Sequence, residues 1–392
     1  MGFGDTQAQA TDDQPVSASH EQRPRVGVVL FQLGGPDSMA AVKPFLYNLF
    51  CDPDILDLPL GPLLRKPLAK YISARRWHHA AHGYAAIGRR SPILTLTMRQ
   101  AAALEVALRP RVEPRITVAM RYWRPFTPDA VRAIEAERLD QLVLLPLYPQ
   151  YSMTTTGSSL NEWKRCYRSN GLPVRVIESY HKDPLLVQAF VERIETSLQH
   201  FLRRKAVDDA RRSERPFNLL AEMQADSARS PDAGSVHLIF SAHSAPLSFI
   251  ERGDPYQRQV EETTRLVMER GAVRAAQAGN PRAWPHAHTL CYQSKVGRQR
   301  WLQPSLVETI DRLAAEGVKR MLVAPISFVS DHVETLHEVN HEARQQALRL
   351  GVRQFELAPG LGTSPTFIAA LAGQVLAAAG VADGRASGEG GH

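Results

Sequence analysis

The chain has 392 residues, of which 44% are hydrophobic and 22% charged, and its 47 Lys and Arg residues outnumber its 40 Asp and Glu residues to give a net charge of +7. This length predicts two domains of ordinary size, and this composition excludes a wholly disordered chain. No apolar stretch is long enough to span a membrane and residues 1–24 lack the apolar core of an export signal, so we expect a cytoplasmic protein.

Three cysteines, Cys51, Cys166 and Cys291, lie far apart in the sequence and form no Cys-x-x-Cys motif. This spacing argues against a zinc ribbon, an iron–sulfur cluster or a disulfide framework, so we expect buried thiols. The moderate positive charge suits nucleic acid, anionic lipid or an anionic small molecule. Nucleic acid is the least favoured partner, because the positive charges are dispersed and no recognition helix stands out.

The N-terminal half alternates short apolar runs with amphipathic stretches. Residues 26–31 form a continuous apolar run, typical of a parallel strand buried on both faces, and residues 34–36 then turn the chain into a helical pattern. Three further apolar runs follow the same rhythm, at residues 116–120, 142–147 and 174–177. The glycines of the turn match neither the dinucleotide fingerprint nor the P-loop, so we interpret it as a tight turn rather than a nucleotide site.

Residues 57–77 mix leucines with arginines and lysines. The simpler interpretation is an amphipathic helix packed on the domain. The alternative is a lip, residues 58–77, that contacts an apolar, anionic ligand or a membrane surface.

Two strand ends in this half carry polar side chains. Arg121 and Tyr122 follow one predicted strand, and a run of hydroxyl-bearing residues, 149–159, follows another. Ligands of open α/β sheets collect at the carboxyl ends of the strands, which favours a pocket wall here. The hydroxyls are equally compatible with an N-cap for the next helix.

The same rhythm restarts in the second half, after a segment rich in Arg, Ser, Asp and Ala. We expect an α/β fold of two similar flavodoxin-like (Rossmann-like) domains, each with a four-stranded parallel sheet flanked by helices, that face each other across a cleft. The second set of predicted strands comprises residues 236–240, 289–292, 320–325 and 354–357. The predicted boundaries are a disordered leader at 1–24, an N-terminal domain at 25–182, a C-terminal domain at 183–364 with an inserted loop at 203–234, a final helix at 365–380 and a disordered tail at 381–392.

The apolar run at residues 320–325 leads directly into a helical pattern that carries acids and imidazoles. Asp331, with Glu334 three positions later, matches an N-cap and its capping-box partner. At helical spacing one stripe comprises Val333, Leu336, Val339 and Ala343, and another comprises Glu334, Glu338 and Glu342 with His337 and His341. The second stripe is either a solvated face whose Glu334 caps the helix or a set of ligands for an ion.

His243 follows the predicted strand 236–240, and Glu334 follows the predicted strand 320–325, so both stand where a parallel sheet presents ligands. A lone histidine is more often structural, but this coincidence favours a functional role. An imidazole with a carboxylate suits Fe²⁺ or Zn²⁺, and equally suits general-base catalysis near neutral pH. No third close His or Cys ligand is present in the pattern, which favours a transient metal over a permanent structural one.

Seven segments, taken in order, resemble the ferrochelatase family. They are LGGPDS (33–38), FLYNLFCDPDI (45–55), YPQYSMTTTGSS (148–159), FSAHSAP (240–246), ERGDPY (251–256), YQSKVG (292–297) and SFVSDHVETL (327–336). The resemblance covers the chain from about residue 27 to residue 375. Several such blocks in the same order are very specific.

The resemblance implies a lyase of heme biosynthesis that inserts Fe²⁺ into protoporphyrin IX to give protoheme, with the two-domain chelatase fold. It implies that His243 is the active-site histidine and Glu334 its paired glutamate, both at the metal, while Glu338 and Glu342 form an acidic path away from them. The residues implied in porphyrin binding are Arg121, Tyr122, Tyr151, Ser152, Thr154, Ser91, Pro92 and Tyr292.

The chain also departs from the family pattern. Arg89 and Arg90 stand where the family has Gly-Gly, and Met153 stands where cluster-bearing relatives have a cysteine. We therefore expect no iron–sulfur cluster and no other permanently bound cofactor. The alternatives are a chelatase for coproporphyrin or another metal, and a heme- or porphyrin-binding protein without turnover. The sequence does not indicate the direction of iron entry, the role of the inserted segment or the oligomeric state.

Overall fold

A computed structural model describes residues 23–55, 61–169, 171–212, 236–295 and 299–382. The expected leader up to residue 22, the inserted segment from 213 onward and the tail from 383 lie outside the described residues, and so do the first residues of the predicted lip. Predictions about those segments stay predictions.

The N-terminal half contains a four-stranded parallel sheet. Its strands are β1 (Arg25–Gln32), β2 (Glu113–Met120), β3 (Gln141–Pro146) and β4 (Val174–Val176), in the order β2-β1-β3-β4. Strand β1 is central, and its Leu30 pairs with Val118 on one side and Leu145 on the other. The unbroken apolar runs of β1 and β3 are buried, because helices cover both faces of the sheet.

The C-terminal half repeats this topology. Its strands are β5 (His237–His243), β6 (His288–Gln293), β7 (Arg320–Pro325) and β8 (Gln354–Leu357), all parallel, in the order β6-β5-β7-β8. Within each half the chain order is thus 2-1-3-4, the flavodoxin-like arrangement. The predicted fold class, two similar α/β units with four parallel strands each, is confirmed.

Helices connect the strands in both halves. Those of the N-terminal half are α1 (Val42–Phe50), α2 (Gly61–Ala86), α3 (Ile93–Leu108), α4 (Thr127–Glu135), a first π-helix (Met153–Gly157) and α5 (Ser158–Cys166). Those of the C-terminal half are α6 (Pro184–Arg212), α7 (Leu247–Glu251), α8 (Tyr256–Gln277), a 3₁₀ turn (Pro281–Ala283), α9 (Leu306–Ala315), a second π-helix (Glu334–Ala343), α10 (Arg344–Arg349) and α11 (Pro365–Ala378). No helix in the described ranges combines the length and apolarity that crossing a bilayer requires.

Helix α6 corrects the predicted start of the inserted loop. The loop was expected from residue 203, but the helix continues to Arg212. Residues 203–212 contain Arg, Lys and Ala and neither Gly nor Pro, so their helix propensity is high and nothing in them ends the helix.

One hydrophobic core joins the two halves. The same cluster of buried residues contains Leu30 of β1, Phe190 of α6, Phe240 of β5 and Leu371 of α11. The final helix α11 packs against α3 and α6 and so returns to the N-terminal half. Because the core is continuous, the predicted boundary between 182 and 183 stays a prediction.

The carboxyl ends of the two sheets lie close together. Gln150, just after β3, is buried and donates from Nε2 to the carbonyl of Ile326, just after β7, at 3.3 Å. The same nitrogen donates to Thr263 Oγ1 of α8 at 3.1 Å. The edge at which parallel sheets bind ligands is therefore shared between the halves.

Candidate active site

The structure brings His243 and Glu334 together. His243 is the last residue of β5, and Glu334 is the first residue of the second π-helix, which follows the neighbouring strand β7. The imidazole Nε2 lies 3.8 Å from the carboxylate Oε1. Side-chain exposures of 39% for His243 and 23% for Glu334 leave both accessible to a ligand.

The orientation of His243 is fixed by its neighbours. Its Nδ1 lies 2.6 Å from the carbonyl oxygen of Ser244. A carbonyl oxygen can only accept, so Nδ1 carries a proton, and the other ring nitrogen, Nε2, is directed at Glu334. The backbone N–H of His243 donates to Ser327 Oγ at 3.1 Å, and the Tyr256 hydroxyl donates to the carbonyl of His243 at 2.9 Å.

A second histidine, His332, contacts the same carboxylate. It is buried, its Nδ1 lies 3.2 Å from the carbonyl oxygen of Ser330, and its Nε2 lies 3.4 Å from Glu334 Oε2. Sequence reasoning missed His332, although it stands in the segment 327–336, because two positions before Glu334 is not on the same face of a helix. The residue precedes the helix, and its ring turns back toward Glu334.

These contacts set the protonation states. Burial raises the pKa of Glu334, but the imidazoles of His243 and His332 outweigh it and lower this pKa to about 2. Burial lowers the pKa of His332, but the contact with Glu334 and its charge raise that pKa above its ordinary value. Oε2 of Glu334 is buried and accepts no hydrogen bond of normal geometry from the described residues. The site is thus a carboxylate with two Nε2 atoms around it, able to take a proton or a cation.

The predicted capping box between Asp331 and Glu334 is wrong. Asp331 Oδ1 accepts from the hydroxyl of Thr335 and from the backbone N–H of Gly360, both at 3.2 Å. The N–H of His332 donates to Thr335 Oγ1 at 3.1 Å. Thr335 therefore takes the capping position, and the Glu334 carboxylate remains in the site.

The predicted apolar stripe of the helix is also partly wrong. The buried residues of the second π-helix are Thr335, His337, Val339 and Ala343, so only the last two belong to the predicted stripe. A π-helix bonds i to i+5 and is wider than an α-helix, so a 3.6-residue period assigns its faces incorrectly. In the described residues, the π-helices at Met153–Gly157 and Glu334–Ala343 each follow a strand and adjoin candidate site residues, as π-helical turns often do.

The acidic residues of this helix differ in exposure, since Glu334 and Glu338 are half-buried and Glu342 is exposed. Glu338 is half-buried and accepts from both the backbone N–H of Ser294, at 2.8 Å, and the Ser294 hydroxyl. Burial, followed by the charge of Glu334, raises the pKa of Glu338 above its ordinary value. Glu342 is exposed on the next turn. The acidic path itself stays a prediction.

Arg121 belongs to a buried polar group that includes Asp52. The guanidinium donates from Nε to Ser158 Oγ at 2.7 Å, and Nη2 lies 3.0 Å from Asp52 Oδ2. The Tyr122 hydroxyl donates to the same carboxylate oxygen at 2.6 Å. Asp52 lies in the segment 45–55, but nothing in its spacing singled it out.

Tyr122 has no accessible surface. Its residue exposure is 0%, and the Arg121 guanidinium lies over its ring at 5.1 Å. A fully buried ring offers no surface to a porphyrin, so we reassign Tyr122 from ligand contact to support of Arg121 and Asp52.

A chain of hydrogen bonds connects the loop after β3 to His243. Ser152 Oγ donates to Asp254 Oδ2 at 2.9 Å, and the N–H of Met153 donates to the same oxygen at 2.8 Å. Asp254 Oδ1 accepts from the N–H of Tyr256 at 3.0 Å, and the Tyr256 hydroxyl holds His243. Asp254, in the C-terminal half, thus fixes the loop that follows β3 in the N-terminal half.

The same loop contains the first π-helix and its cap. Ser152 Oγ accepts from the N–H of Thr154 at 3.3 Å, so the capping interpretation of the hydroxyl run is confirmed for Ser152. Tyr151 is half-buried, and its N–H donates to Gln259 Oε1 at 2.7 Å. Tyr151 and Thr154 retain accessible surface, whereas Ser152 is buried.

The turn before α3 holds the remaining N-terminal candidates. Ser91 and Pro92 are half-buried, and the N–H of Ser91 donates to the carbonyl of Pro36 at 2.8 Å. Arg89 adopts φ +66°, in the left-handed region that favours glycine. The turn therefore keeps a glycine-type conformation at a position where this chain has an arginine.

Tyr292, the last porphyrin-binding candidate, lies in β6. The residue is 3% exposed, and no described residue hydrogen-bonds its buried hydroxyl. A ligand contact by Tyr292 stays a prediction.

Comparisons with known proteins agree with the sequence resemblance. A family model described as Ferrochelatase matches residues 25–379. A ferrochelatase of Aquifex aeolicus is 41% identical over 349 residues, which cover 88% of this chain and 96% of that protein. A ferrochelatase of Geotalea daltonii is 42% identical over 351 residues, covering 89% and 96%. Among solved structures, SirB from Bacillus subtilis with Fe³⁺ matches at a TM-score of 0.46 and 11% identity, covering 91% of this chain and 96% of that one.

Proposed function

The chain belongs to the ferrochelatase family, and we propose that it is the lyase that inserts Fe²⁺ into protoporphyrin IX to form protoheme in heme biosynthesis. The observation that carries this proposal is the arrangement of His243 and His332, which both direct Nε2 at the carboxylate of Glu334.

The reaction needs what this arrangement provides. Protoporphyrin carries two pyrrole N–H protons, and its nitrogen lone pairs lie in the plane of the ring, so the protein must distort the macrocycle and accept both protons. His243 is the first proton acceptor, because its Nδ1 is bonded to the Ser244 carbonyl, its Nε2 faces the site and its side chain is 39% exposed. Glu334 is already a carboxylate, and it shares the proton or contacts the incoming iron.

The protons released from the porphyrin need a route to solvent. Glu338 and Glu342 lie four and eight residues after Glu334 on the same helix, and they lead from partly buried to exposed positions. Glu338 has a raised pKa, so it takes up a proton more readily than an ordinary carboxylate and can pass it outward. We assign these two carboxylates to the transfer of protons between Glu334 and solvent.

The porphyrin contacts follow from the accessible candidates. Arg121, Ser91, Pro92, Tyr151 and Thr154 retain surface on the loops that follow β1, β2 and β3. The ion pair with Asp52 fixes the orientation of the Arg121 guanidinium, and with it the direction of its remaining N–H donors. These residues form the face of the porphyrin site opposite His243.

Anaerobic turnover tests the proposal. The purified protein is incubated with Fe²⁺ and either protoporphyrin IX or coproporphyrin, and heme formation is followed by absorbance. Formation of protoheme at the higher kcat/KM supports the proposal. Preferred turnover of coproporphyrin, preferred insertion of Co²⁺ or Ni²⁺, or tight porphyrin binding without turnover would each replace it with one of the alternatives.

We propose that the enzyme has no resident iron–sulfur cluster. The chain contains three cysteines, and a cluster of this kind takes four cysteine ligands. Cys51, Cys166 and Cys291 pack into three different hydrophobic clusters. They are therefore spread over separate layers of the molecule.

We propose that the protein is cytoplasmic and touches a membrane surface through α2. The helix exposes Leu63 by 87%, Leu64 by 49% and Tyr71 by 57%, beside the exposed Lys66 and Lys70. Apolar side chains flanked by lysines suit the interface of an anionic bilayer. Flotation with anionic vesicles tests this: the parent protein should float, and the double variant Leu63→Ser, Leu64→Ser should not.

A further inference from the structure

Three histidines meet where α2 packs against the second π-helix. The rings of His82 and His337 lie with centroids 5.7 Å apart, and those of His337 and His341 lie 5.6 Å apart. Gly83 permits this approach, because a Cβ at its position would lie 3.4 Å from His337 Nδ1 and 3.2 Å from a methyl group of Val333. We call His82, His337 and His341 the histidine cluster.

His337 is the buried member of the histidine cluster. Its residue exposure is 6%, and Nδ1 lies 3.7 Å from Glu342 Oε1. Its other ring nitrogen, Nε2, is buried, and no described residue forms a hydrogen bond with it. Buried polar nitrogens without a partner are uncommon, so Nε2 is available to a water molecule or an ion.

The surroundings favour a neutral imidazole at His337. Burial lowers its pKa most, Glu342 raises it, and the neighbouring His341, His82 and His79 lower it again, so that the net shift is downward. A neutral imidazole has a nitrogen lone pair that can bind a metal ion, whereas a protonated imidazole has none.

We propose that the histidine cluster, together with the carboxylate of Glu342, is a binding site for a divalent first-row transition cation such as Fe²⁺, Co²⁺ or Zn²⁺. A site of imidazole nitrogens with one carboxylate binds these ions in preference to Mg²⁺ and Ca²⁺. His337 and His341 are four residues apart on one helix, and their rings are stacked at 24°. The two rings lie side by side on the π-helix, and rotation of the exposed His341 side chain brings both imidazoles to one cation.

The site is open rather than preformed. Among the described residues no three His, Cys, Asp or Glu side chains are already arranged to hold a metal ion. His82, His341 and Glu342 are exposed and can turn toward His337, whose position is fixed by packing. Such a site binds and releases its cation readily, unlike a closed structural metal centre.

The site lies beside the proposed acidic path. His337 directly precedes Glu338, and it lies three residues after Glu334 on the same helix. A cation held here is one turn from the carboxylates that lead to His243. That the bound cation is the iron of the reaction rests on the proposed function, whereas cation binding itself does not.

Titration with Co²⁺ tests the site, since its visible absorption bands report nitrogen ligation. The full chain is stripped with EDTA and used in a His243→Ala, Glu334→Gln background, which removes the ligands of the active site. We expect one Co²⁺ to bind without porphyrin. The added double change His82→Gln, His341→Gln should weaken binding at least about tenfold, because it removes two ligands from exposed positions.

The control variant is His286→Gln, which removes an exposed histidine elsewhere on the surface. It should leave Co²⁺ binding unchanged. Equal affinity in the double variant and its background, or an equal loss in the control, would overturn the proposal.

Kinetics in the unmodified active-site background test the link to the reaction. Here His82→Gln, His341→Gln should raise the KM for Fe²⁺ severalfold and leave kcat unchanged. An unchanged KM in a variant that has lost Co²⁺ binding would overturn that link. Absence of turnover in the parent would instead refute the proposed function, while the Co²⁺ titration would still decide the cation site.

Discussion

His332 and Glu334 face each other at 3.4 Å between Nε2 and Oε2, although only one residue separates them in the chain. The imidazole is turned to the carboxylate because its Nδ1–H is bonded to the carbonyl of Ser330. The carboxylate is available because Thr335 takes the capping role. The other carboxylate oxygen of Glu334, Oε1, lies 3.8 Å from Nε2 of His243, so one negative charge lies beside two imidazoles.

Replacement of Glu334 by Gln separates its catalytic role from a structural one. The substitution preserves shape and removes the charge, so turnover should fall by at least about 10²-fold, the lower range for one acid–base group. The pKa of about 2 means that Glu334 stabilises the fold above its unfolded pKa, and that this contribution is lost as the pH falls toward 2. We therefore expect a melting temperature a few degrees lower at neutral pH. Calorimetry and anaerobic turnover measure both, and turnover equal to that of the parent would refute the assignment.

Replacement of His243 by Ala should abolish iron insertion and leave porphyrin binding close to that of the parent. The side chain is 39% exposed at the end of β5, so little core volume is lost with it. Porphyrin affinity is measured by fluorescence quenching, alongside the insertion rate. Near-normal turnover would remove His243 from the mechanism and restore a structural interpretation.

The sequence predicted the elements better than the side-chain geometry of the site. Apolar runs such as residues 26–31 and 320–325 indicate buried parallel strands, because they are short, continuous and rich in residues that favour strands. Strand ends then placed His243 and Glu334 at one edge of a sheet, and the structure has them there.

What failed depended on local geometry that a periodic pattern does not encode. The second π-helix changes which residues are buried, so His337 lies inside although a 3.6-residue period places it outside. Asp331 and Glu334 match a capping box in spacing, yet Thr335 competes successfully for the same backbone groups. The partners of Arg121 are 69 and 37 positions away in the chain, at Asp52 and Ser158, and only the fold brings them together.

Ser294 should act as a positioning residue for Glu338. It adopts φ +67°, and both its N–H and its hydroxyl donate to the Glu338 carboxylate. These bonds lower the pKa of Glu338 against burial, so loss of the hydroxyl should raise that pKa further. In Ser294→Ala the acid limb of the kcat profile should therefore move to higher pH.

Ser294→Gly is the matched control for backbone strain. It also lacks the hydroxyl, but glycine adopts a positive φ without penalty, so this variant should be about 1 kcal/mol more stable than Ser294→Ala. Both variants should show the same shift of the acid limb. A shift in the alanine variant alone would assign the effect to strain rather than to the hydroxyl.

The anaerobically purified protein should contain no stoichiometric iron–sulfur cluster, since its three cysteines are too few and lie in separate hydrophobic clusters. The visible spectrum and assays for iron and acid-labile sulfide measure this directly. Stoichiometric sulfide would contradict the cysteine argument.

His337 should make the protein less stable as the pH falls below neutral. Its folded pKa is lower than its unfolded pKa, chiefly through burial, with Glu342 opposing and His341, His82 and His79 reinforcing the shift. The unfolded chain therefore binds more protons near pH 6, and the free energy of unfolding decreases as the pH drops through the unfolded pKa, which is about 6.5.

Urea unfolding in EDTA at pH 7.5 and 5.5 should show a smaller decrease in the free energy of unfolding for His337→Leu than for the parent, because leucine keeps the site filled and does not titrate. His286→Gln, at an exposed position, should lose as much stability as the parent. If His337→Leu and the parent lost equal stability between the two pH values, the imidazole of His337 would not be held neutral by its surroundings.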